Sequence, residues 1–173
     1  KSKFIVKPLN LTALVKEMAH LLEVAISKKI ALEYSFKEAL PLIEGDATQL
    51  RQIVMNLITN ASDAIGTKKG KIVVMTGVMD CPRSYLANCY VAEGLKPGRY
   101  VFVEVSDTGC GMDAKTMEKI FDPFFTTKVK GRGLGLAAAL GIVRSHRGTL
   151  RVYSEPGRGT NFKVFFPATT KSA

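Results

Sequence analysis

Apolar residues recur at three- and four-residue steps in two long stretches of the chain. The first runs from Asn10 to about Lys29, and the second runs from Asp46 to Ile65. This spacing brings the apolar side chains onto one face of a helix. Asn10 and Asp46 are residue types whose side chains cap a first helical turn. The pattern therefore predicts two amphipathic helices.

Shorter stretches carry the alternating or β-branched pattern of strands. They are residues 30–36, 71–78, 100–106, 149–154 and 161–166. Residues 79–99 contain prolines and glycines, and we expect them to be an excursion between two antiparallel strands. Two more helices are predicted, a short one over 113–120 and a longer one that opens near Gly131 and ends near His146.

The strands are concentrated in the later part of the chain, and alternating strand–helix–strand units are absent from the sequence. This order predicts an α+β fold, a two-layer α/β sandwich with a mixed, mostly antiparallel sheet and three main helices on one face. The length of 173 residues suits one domain. We expect residues 1–9 to be a linker from a preceding domain, 10–168 to be the domain itself and 169–173 to be a tail.

The net charge of +10 suits an anionic partner, such as nucleic acid, a membrane surface or a phosphorylated small molecule. Because the basic residues are scattered, as on ordinary solvated surface, we expect no nucleic-acid partner. No apolar run reaches the roughly 18 residues of a membrane helix, so we expect no membrane contact. The three cysteines show no metal-ligand or disulfide spacing, and their odd number indicates a reducing cytoplasm.

The second long helix has a narrow polar stripe opposite its apolar face. The stripe contains Asn56 and Asn60, which are four residues apart and therefore point the same way. Amide oxygens are ligands that Mg²⁺ accepts, while it takes its other ligands from water and phosphate. The alternative is a solvated helix face. Asn is a poor helix former, so two of them in mid-helix favour a function.

A carboxylate and two glycines follow the strand over 100–106, as Asp107-x-Gly109-x-Gly111. The carboxylate at a strand end can accept a hydrogen bond from an exocyclic amine such as that of adenine. The glycines allow a sharp turn and the close approach of a flat ligand, since they have no Cβ. By itself, the pattern also suits an ordinary strand-to-loop turn.

A second glycine pattern, Gly131-x-Gly133-x-Gly135, stands at the start of a predicted helix. Backbone N–H groups at a helix start form a site for anions. Lys128, Lys130 and Arg132 lie beside it and match a polyphosphate, although they also suit a solvated loop. The pattern is neither a P-loop nor a dinucleotide fingerprint, because it lacks the following Lys-Ser/Thr pair and a strand that leads into it.

These motifs occur in one order along the chain, with two further motifs among them. The order is Asn56-x-x-x-Asn60, Asp107-x-Gly109-x-Gly111, Phe121-x-Pro123-Phe124-Phe125, Gly131-x-Gly133-Leu134-Gly135-Leu136 and Gly157-x-Gly159-Thr160. The series resembles the N, G1, F, G2 and G3 boxes of the ATP-binding catalytic domain of sensor histidine kinases. The wider superfamily also contains gyrase, a class of heat-shock chaperones and the MutL mismatch-repair ATPases. The resemblance implies a Bergerat-type ATP-binding fold over nearly the whole chain.

The resemblance also implies roles for individual residues. Asp107 would accept a hydrogen bond from the adenine N6, Asn60 would bind Mg²⁺, and Asn56 would contact phosphate or metal-bound water. Asn56, Asn60 and Lys128 would be the catalytic residues. The other expected contacts with ATP are Asp63, Gly109, Gly111, Met112, Phe124, Gly131, Arg132, Gly133, Leu134, Gly135, Leu136 and Thr160.

The identity of residue 56 discriminates within the superfamily. The hydrolysing members normally carry Glu at this place to activate water, whereas an Asn side chain cannot act as a base near neutral pH. The resemblance therefore implies transfer of the γ-phosphate of Mg·ATP to a His on a separate helical-hairpin phosphoacceptor domain, with a response-regulator receiver domain downstream. We expect an excised catalytic domain, since neither His20 nor His146 has the sequence context of a phosphoacceptor. The alternatives are an ATP-dependent conformational module or ATPase of the same superfamily, and a basic nucleic-acid-binding module.

Overall fold

A five-stranded sheet with helices packed on one face forms the body of the computed structural model, which describes residues 4–91, 93–122 and 135–169. The elements, in chain order, are β1 (Lys7–Leu9), α1 (Leu11–Ala25), β2 (Ile30–Ser35), β3 (Ile43–Gly45), α2 (Ala47–Ile65), β4 (Gly70–Cys81), α3 (Arg83–Leu86), β5 (Gly98–Asp107), α4 (Ala114–Lys119), α5 (Gly135–Ser145), β6 (Thr149–Glu155) and β7 (Gly159–Pro167).

The order of the strands in the sheet is β2-β4-β5-β7-β6. β2 pairs with β4 in parallel, and every other pair in this sheet is antiparallel. β1 and β3 form a separate antiparallel pair. The predicted fold class, a two-layer sandwich with a mixed and mostly antiparallel sheet, is therefore confirmed.

One face of the sheet buries the core. Val101, Val103 and Val105 of β5 pack with apolar residues of α1, α2 and α5, while the alternate residues Tyr100 and Phe102 face the other side. The predicted caps hold α1 and α2 at their starts. The Asn10 side chain accepts the Ala13 N–H at 2.9 Å, and the Asp46 carboxylate accepts the Gln49 N–H at 3.0 Å.

Three boundaries differ from the sequence prediction. Residues 7–9, expected in a linker, form β1 and pair with β3, although the division into domains itself stays a prediction. α1 ends at Ala25 instead of Lys29, because the chain turns there and the Ile30 N–H bonds the Ser27 carbonyl. The excursion over 79–99 is shorter than expected, since Met79–Cys81 still pair with Gly98–Tyr100.

The pairing at the ends of β4 and β5 has a packing reason. A small second core lies on the outer face of the sheet and consists of Cys81, Leu86, Tyr100 and Phe165. Tyr85 of the excursion meets Phe165 edge-on, with 5.7 Å between the ring centroids. The excursion thus covers part of the sheet face that the main helices leave open.

Within the described ranges, no helix is long and apolar enough to cross a membrane.

Candidate functional site

Asp107 is a buried carboxylate at the last residue of β5. Its Oδ1 accepts the Gly109 N–H at 2.8 Å and the Thr160 N–H at 3.3 Å. Among the residues that the structure describes, none donates a hydrogen bond to Oδ2. The carboxylate is therefore held by one oxygen, and its other oxygen remains an acceptor for a ligand.

Burial raises the pKa of the Asp107 carboxyl above its ordinary value, because desolvation disfavours the charged form. The hydrogen bonds from Gly109 and Thr160 act in the opposite direction and favour the carboxylate. A donor from a ligand would complete the hydrogen bonding of this carboxylate. The arrangement suits a ligand that presents an N–H group.

The glycines of the loop after Asp107 permit backbone to pack against backbone. A Cβ on Gly109 would lie 2.7 Å from the carbonyl carbon of Ala64 in α2, and one on Gly111 would collide with the Glu155 carbonyl. Gly111 also has φ +69°, a conformation that favours glycine. The sequence predicts that these glycines admit a flat ligand. In the structure, the space that a Cβ would fill is taken by the protein itself.

The turn between β6 and β7 packs onto the same loop. The Gly157 N–H bonds the Cys110 carbonyl at 2.7 Å, and the Cys110 N–H bonds the Ala64 carbonyl at 3.0 Å. The loop is thus held from one side by α2 and from the other by the β6–β7 turn. Exposed Cys110 contributes its backbone to this packing.

Met112 and Thr160 are joined through Ser154, which is not among the site residues predicted from the sequence. The Met112 N–H donates to Ser154 Oγ at 2.8 Å, and Ser154 Oγ lies 2.8 Å from Thr160 Oγ1. Ser154 and Thr160 are directly opposite each other in the β6–β7 register. The antiparallel pairing of the two predicted strands places Ser154 beside the start of the second strand, and this was the signal that could have indicated it.

Asn56 joins α2 to the beginning of α5. Its Nδ2 donates to the carbonyl of Gly135, the first residue of α5, at 3.1 Å. No described residue donates to its amide oxygen, which is therefore available to a cation or to metal-bound water. Asn60 lies one turn further along α2 and is partly exposed, as is Asn56.

The donor chemistry around Asn56 and Asn60 fits Mg²⁺ held mainly by a ligand's phosphates. In the described part of the chain, no group of three or more His, Cys, Asp or Glu side chains could hold a metal ion by itself. Mg²⁺ commonly takes one or two oxygens from the protein and the others from phosphate and water. Asn60 is the residue that would supply one such oxygen, with Asp63, one turn later and exposed, beside it.

α2 connects the two parts of the site. Ala64 touches the loop after Asp107, whereas Asn60 and Asn56 lie four and eight residues before Ala64. At 1.5 Å per residue, Asn56 is about 12 Å from Ala64 along the helix axis. The loop after Asp107 therefore meets the last turns of α2 and the two amides lie nearer its middle, a separation that suits a ligand with a base at one end and phosphates at the other.

The remaining predicted site residues divide into two groups. Gly135 begins α5, and Leu136 beside it is half-buried against the core. The others lie outside the described residues, so their predicted roles stay predictions; they are Phe124, Lys128, Gly131, Arg132, Gly133 and Leu134.

Comparison with protein families matches residues 45–170 to the model described as "Histidine kinase-, DNA gyrase B-, and HSP90-like ATPase". Among individual proteins, Sensor kinase CckA of Brucella abortus (strain 2308) is 38% identical over 161 residues. That alignment covers 92% of this chain but 17% of the relative.

Solved structures show the same similarity. The catalytic domain of histidine kinase ThkA, in a nucleotide-free form, superposes with a TM-score of 0.73 at 29% identity and covers 96% of this chain and 97% of that one. Full-length ShkA, solved in complex with AMPPNP, has a TM-score of 0.73 at 25% identity, covering 99% of this chain and 33% of ShkA. The chain thus corresponds to a whole catalytic domain in ThkA and to a minor part of CckA and ShkA.

Proposed function

Because the chain belongs to the family of histidine kinase-, DNA gyrase B- and HSP90-like ATPases, we propose that it binds Mg·ATP and acts as the catalytic domain of a two-component sensor histidine kinase. The substrate would be a His on a helical-hairpin phosphoacceptor domain outside this chain, and a response-regulator receiver domain would act downstream. The working compartment would be the cytoplasm.

One observation carries the ATP proposal, namely the buried Asp107 carboxylate with an unused Oδ2. An adenine N6 amine supplies the N–H donor that this oxygen lacks. At the other end of the site, Asn56 and Asn60 supply amide oxygens for Mg²⁺ and its waters. The likeness to ShkA, which was solved with AMPPNP, supports the same ligand class.

Phosphoryl transfer is favoured over hydrolysis by the chemistry of residue 56. A base that activates water must take up a proton, and an amide does not do so near neutral pH. The Asn56 amide is moreover engaged with the Gly135 carbonyl. In the proposed reaction, an imidazole nitrogen of the partner His bonds to the γ-phosphorus, the bond to the bridging oxygen breaks, and ADP leaves. The domain contributes position and charge neutralisation.

Calorimetric titration of Mg·ATP into the wild type, Asp107→Asn and Asn60→Asp tests binding. We expect saturable binding by the wild type and a loss of about 10- to 100-fold in Asp107→Asn, because a hydrogen bond to a charged group contributes roughly 1.5–3 kcal/mol. No binding by the wild type would contradict the proposal. Asn60→Asp, which keeps an oxygen ligand, should still bind Mg·ATP, and unchanged affinity in Asp107→Asn would contradict the assignment of Asp107.

A second measurement tests the reaction. The chain is mixed with the helical-hairpin domain of the same kinase and ATP labelled at the γ-phosphate. We expect label on the hairpin that is stable to alkali and labile to acid, as phosphohistidine is, and slow release of free phosphate by the chain alone. Rapid release of phosphate without labelling would instead support an ATPase or conformational module.

A further inference from the structure

Ser154 sits at a junction of three hydrogen-bonding groups next to Asp107. Its Oγ lies 2.8 Å from the Met112 nitrogen, 3.1 Å from the Gly159 carbonyl oxygen and 2.8 Å from Thr160 Oγ1. A serine hydroxyl has one hydrogen to donate and two lone pairs to accept with. Three contacts therefore use its full capacity.

The direction of each bond follows from the partners. The Met112 N–H can only donate, so Ser154 accepts from it. The Gly159 carbonyl can only accept, so Ser154 donates its one hydrogen there. The third contact is satisfied only if the Thr160 hydroxyl donates to Ser154. The hydrogen of Thr160 is then used, so its Oγ1 can only accept from any further partner.

Thr160 is also hydrogen-bonded to the Asp107 carboxylate. Its N–H donates to Asp107 Oδ1 at 3.3 Å, so the hydroxyl and the carboxylate belong to one buried cluster. With Asp107 Oδ2 unused by described residues, the side chains of this cluster, Asp107 and Thr160, present acceptors to a further partner. A purine with an amino group at C6 matches acceptors, whereas a 6-oxo purine places its own acceptor against them.

We propose that Ser154 is a positioning residue for nucleotide selectivity, which makes the Thr160 hydroxyl an acceptor and so favours adenine over 6-oxo purines. This inference rests on the proposed ATP-binding function. Without the Ser154 hydroxyl, the O–H of Thr160 is free to turn and donate to a 6-oxo group. Ser154 acts through Thr160 and Met112 and need not touch the nucleotide.

The test compares the affinities of ADP and IDP, which differ at position 6 of the purine and in the proton on the adjacent ring nitrogen. Calorimetry on the whole chain with Mg²⁺ measures the ratio of the IDP and ADP dissociation constants. We expect a large ratio in the wild type and a ratio about 2- to 10-fold smaller in Ser154→Ala, the effect of one neutral hydrogen bond. Ser154→Thr, which keeps the hydroxyl, should restore the wild-type ratio.

Two further variants make the test specific. Ser106→Ala removes a hydroxyl next to Asp107 that bonds Asn161 on the outer face of the sheet, and it should leave the ratio unchanged. In a Thr160→Val background, Ser154→Ala should not alter the ratio, because the residue through which it acts has lost its hydroxyl. Should Ser154→Ala fail to fold, Ser154→Cys replaces it, since a thiol accepts weakly and should lower the ratio in the same direction.

The outcomes separate this inference from the proposed function. If the wild type binds neither nucleotide, the ATP proposal fails. If the wild type selects ADP but Ser154→Ala keeps the same ratio, or weakens ADP and IDP equally, the role of Ser154 is merely structural and the inference is wrong.

Discussion

The backbone N–H of Asp46 donates to Nε2 of His146 at 3.0 Å, across 100 positions of sequence. Asp46 caps α2, the helix that carries Asn56 and Asn60, while His146 follows the last residue of α5. The other ring nitrogen of His146 lies 2.8 Å from the Ile142 carbonyl and donates to it, so the imidazole is neutral with its proton on Nδ1. This hydrogen bond connects the start of α2 to the end of α5, the two helices that flank the proposed phosphate end of the site.

The hydrogen bond between Asp46 and His146 predicts that His146→Ala lowers the free energy of unfolding. The change leaves the buried Asp46 N–H without its acceptor and removes a ring that contacts Phe4 and Phe166 edge-on. We expect the free energy of unfolding to fall by about 2 kcal/mol or more, measured by urea denaturation. His20→Ala is the matched control, because His20 is exposed on α1 and should change stability by less than about 0.5 kcal/mol. Equal effects of the two changes would contradict the interpretation.

Gly111 and Gly141 should respond in opposite directions to replacement by Ala. A Cβ on Gly111 would collide with the Glu155 carbonyl, at a positive φ of +69°. A Cβ on Gly141, inside α5, meets nothing within 4 Å. We expect Gly111→Ala to lose about 2 kcal/mol or more of unfolding free energy, and Gly141→Ala to gain about 0.5–1 kcal/mol. Thermal unfolding of both variants checks this, and a stable Gly111→Ala protein would show that the loop is not packed as described.

Asp107 should make the unfolding free energy depend on pH in a definite direction. Burial raises the pKa of its carboxyl above the ordinary 3.8, so the folded state holds the proton more tightly than the unfolded state. The stabilisation that follows is fully present below pH 3.8 and is lost as the pH rises through the raised folded value. Asp107→Asn cannot titrate there, so acidification should stabilise the wild type relative to the variant. Urea midpoints of both proteins across acidic to neutral pH measure this difference, and the opposite slope would mean that the hydrogen bonds outweigh the burial.

Asn60 should determine how much Mg²⁺ strengthens ATP binding. Removing an oxygen ligand in Asn60→Ala should reduce the gain in ATP affinity from Mg²⁺ by about tenfold, as the loss of roughly 1.5 kcal/mol at a charged group implies. Asn60→Asp retains an oxygen and should keep the gain. Gln52→Ala, an exposed amide earlier on α2, is the control and should behave as the wild type. Titrations with Mg²⁺ and with a chelator measure the gain, and an undiminished gain in Asn60→Ala would remove Asn60 from the metal site.

Most helices and strands were predictable because their signals are local, whereas β1, β3 and α3 were not predicted. The apolar periodicity of α1 and α2, their caps and the alternation along β5 and β7 are set by neighbours a few residues apart. The position of Asp107 at a strand end, and of Asn56 and Asn60 one turn apart on α2, can be predicted from the same local patterns. The extents of α1 and of the excursion were wrong by a few residues, since the packing at their ends comes from distant parts of the chain.

The fold class and the chemical groups offered by the site, namely one carboxylate, two amides and the glycines around them, follow from the amino-acid sequence alone. The contacts that hold those groups in place are set by the three-dimensional packing of the chain. This packing brought Ser154 between Met112 and Thr160, placed His146 against the cap of α2, and filled the space beside Gly109 and Gly111 with backbone. Most of these contacts join positions that are tens of residues apart, and a local pattern of apolar residues does not specify which distant atoms will meet.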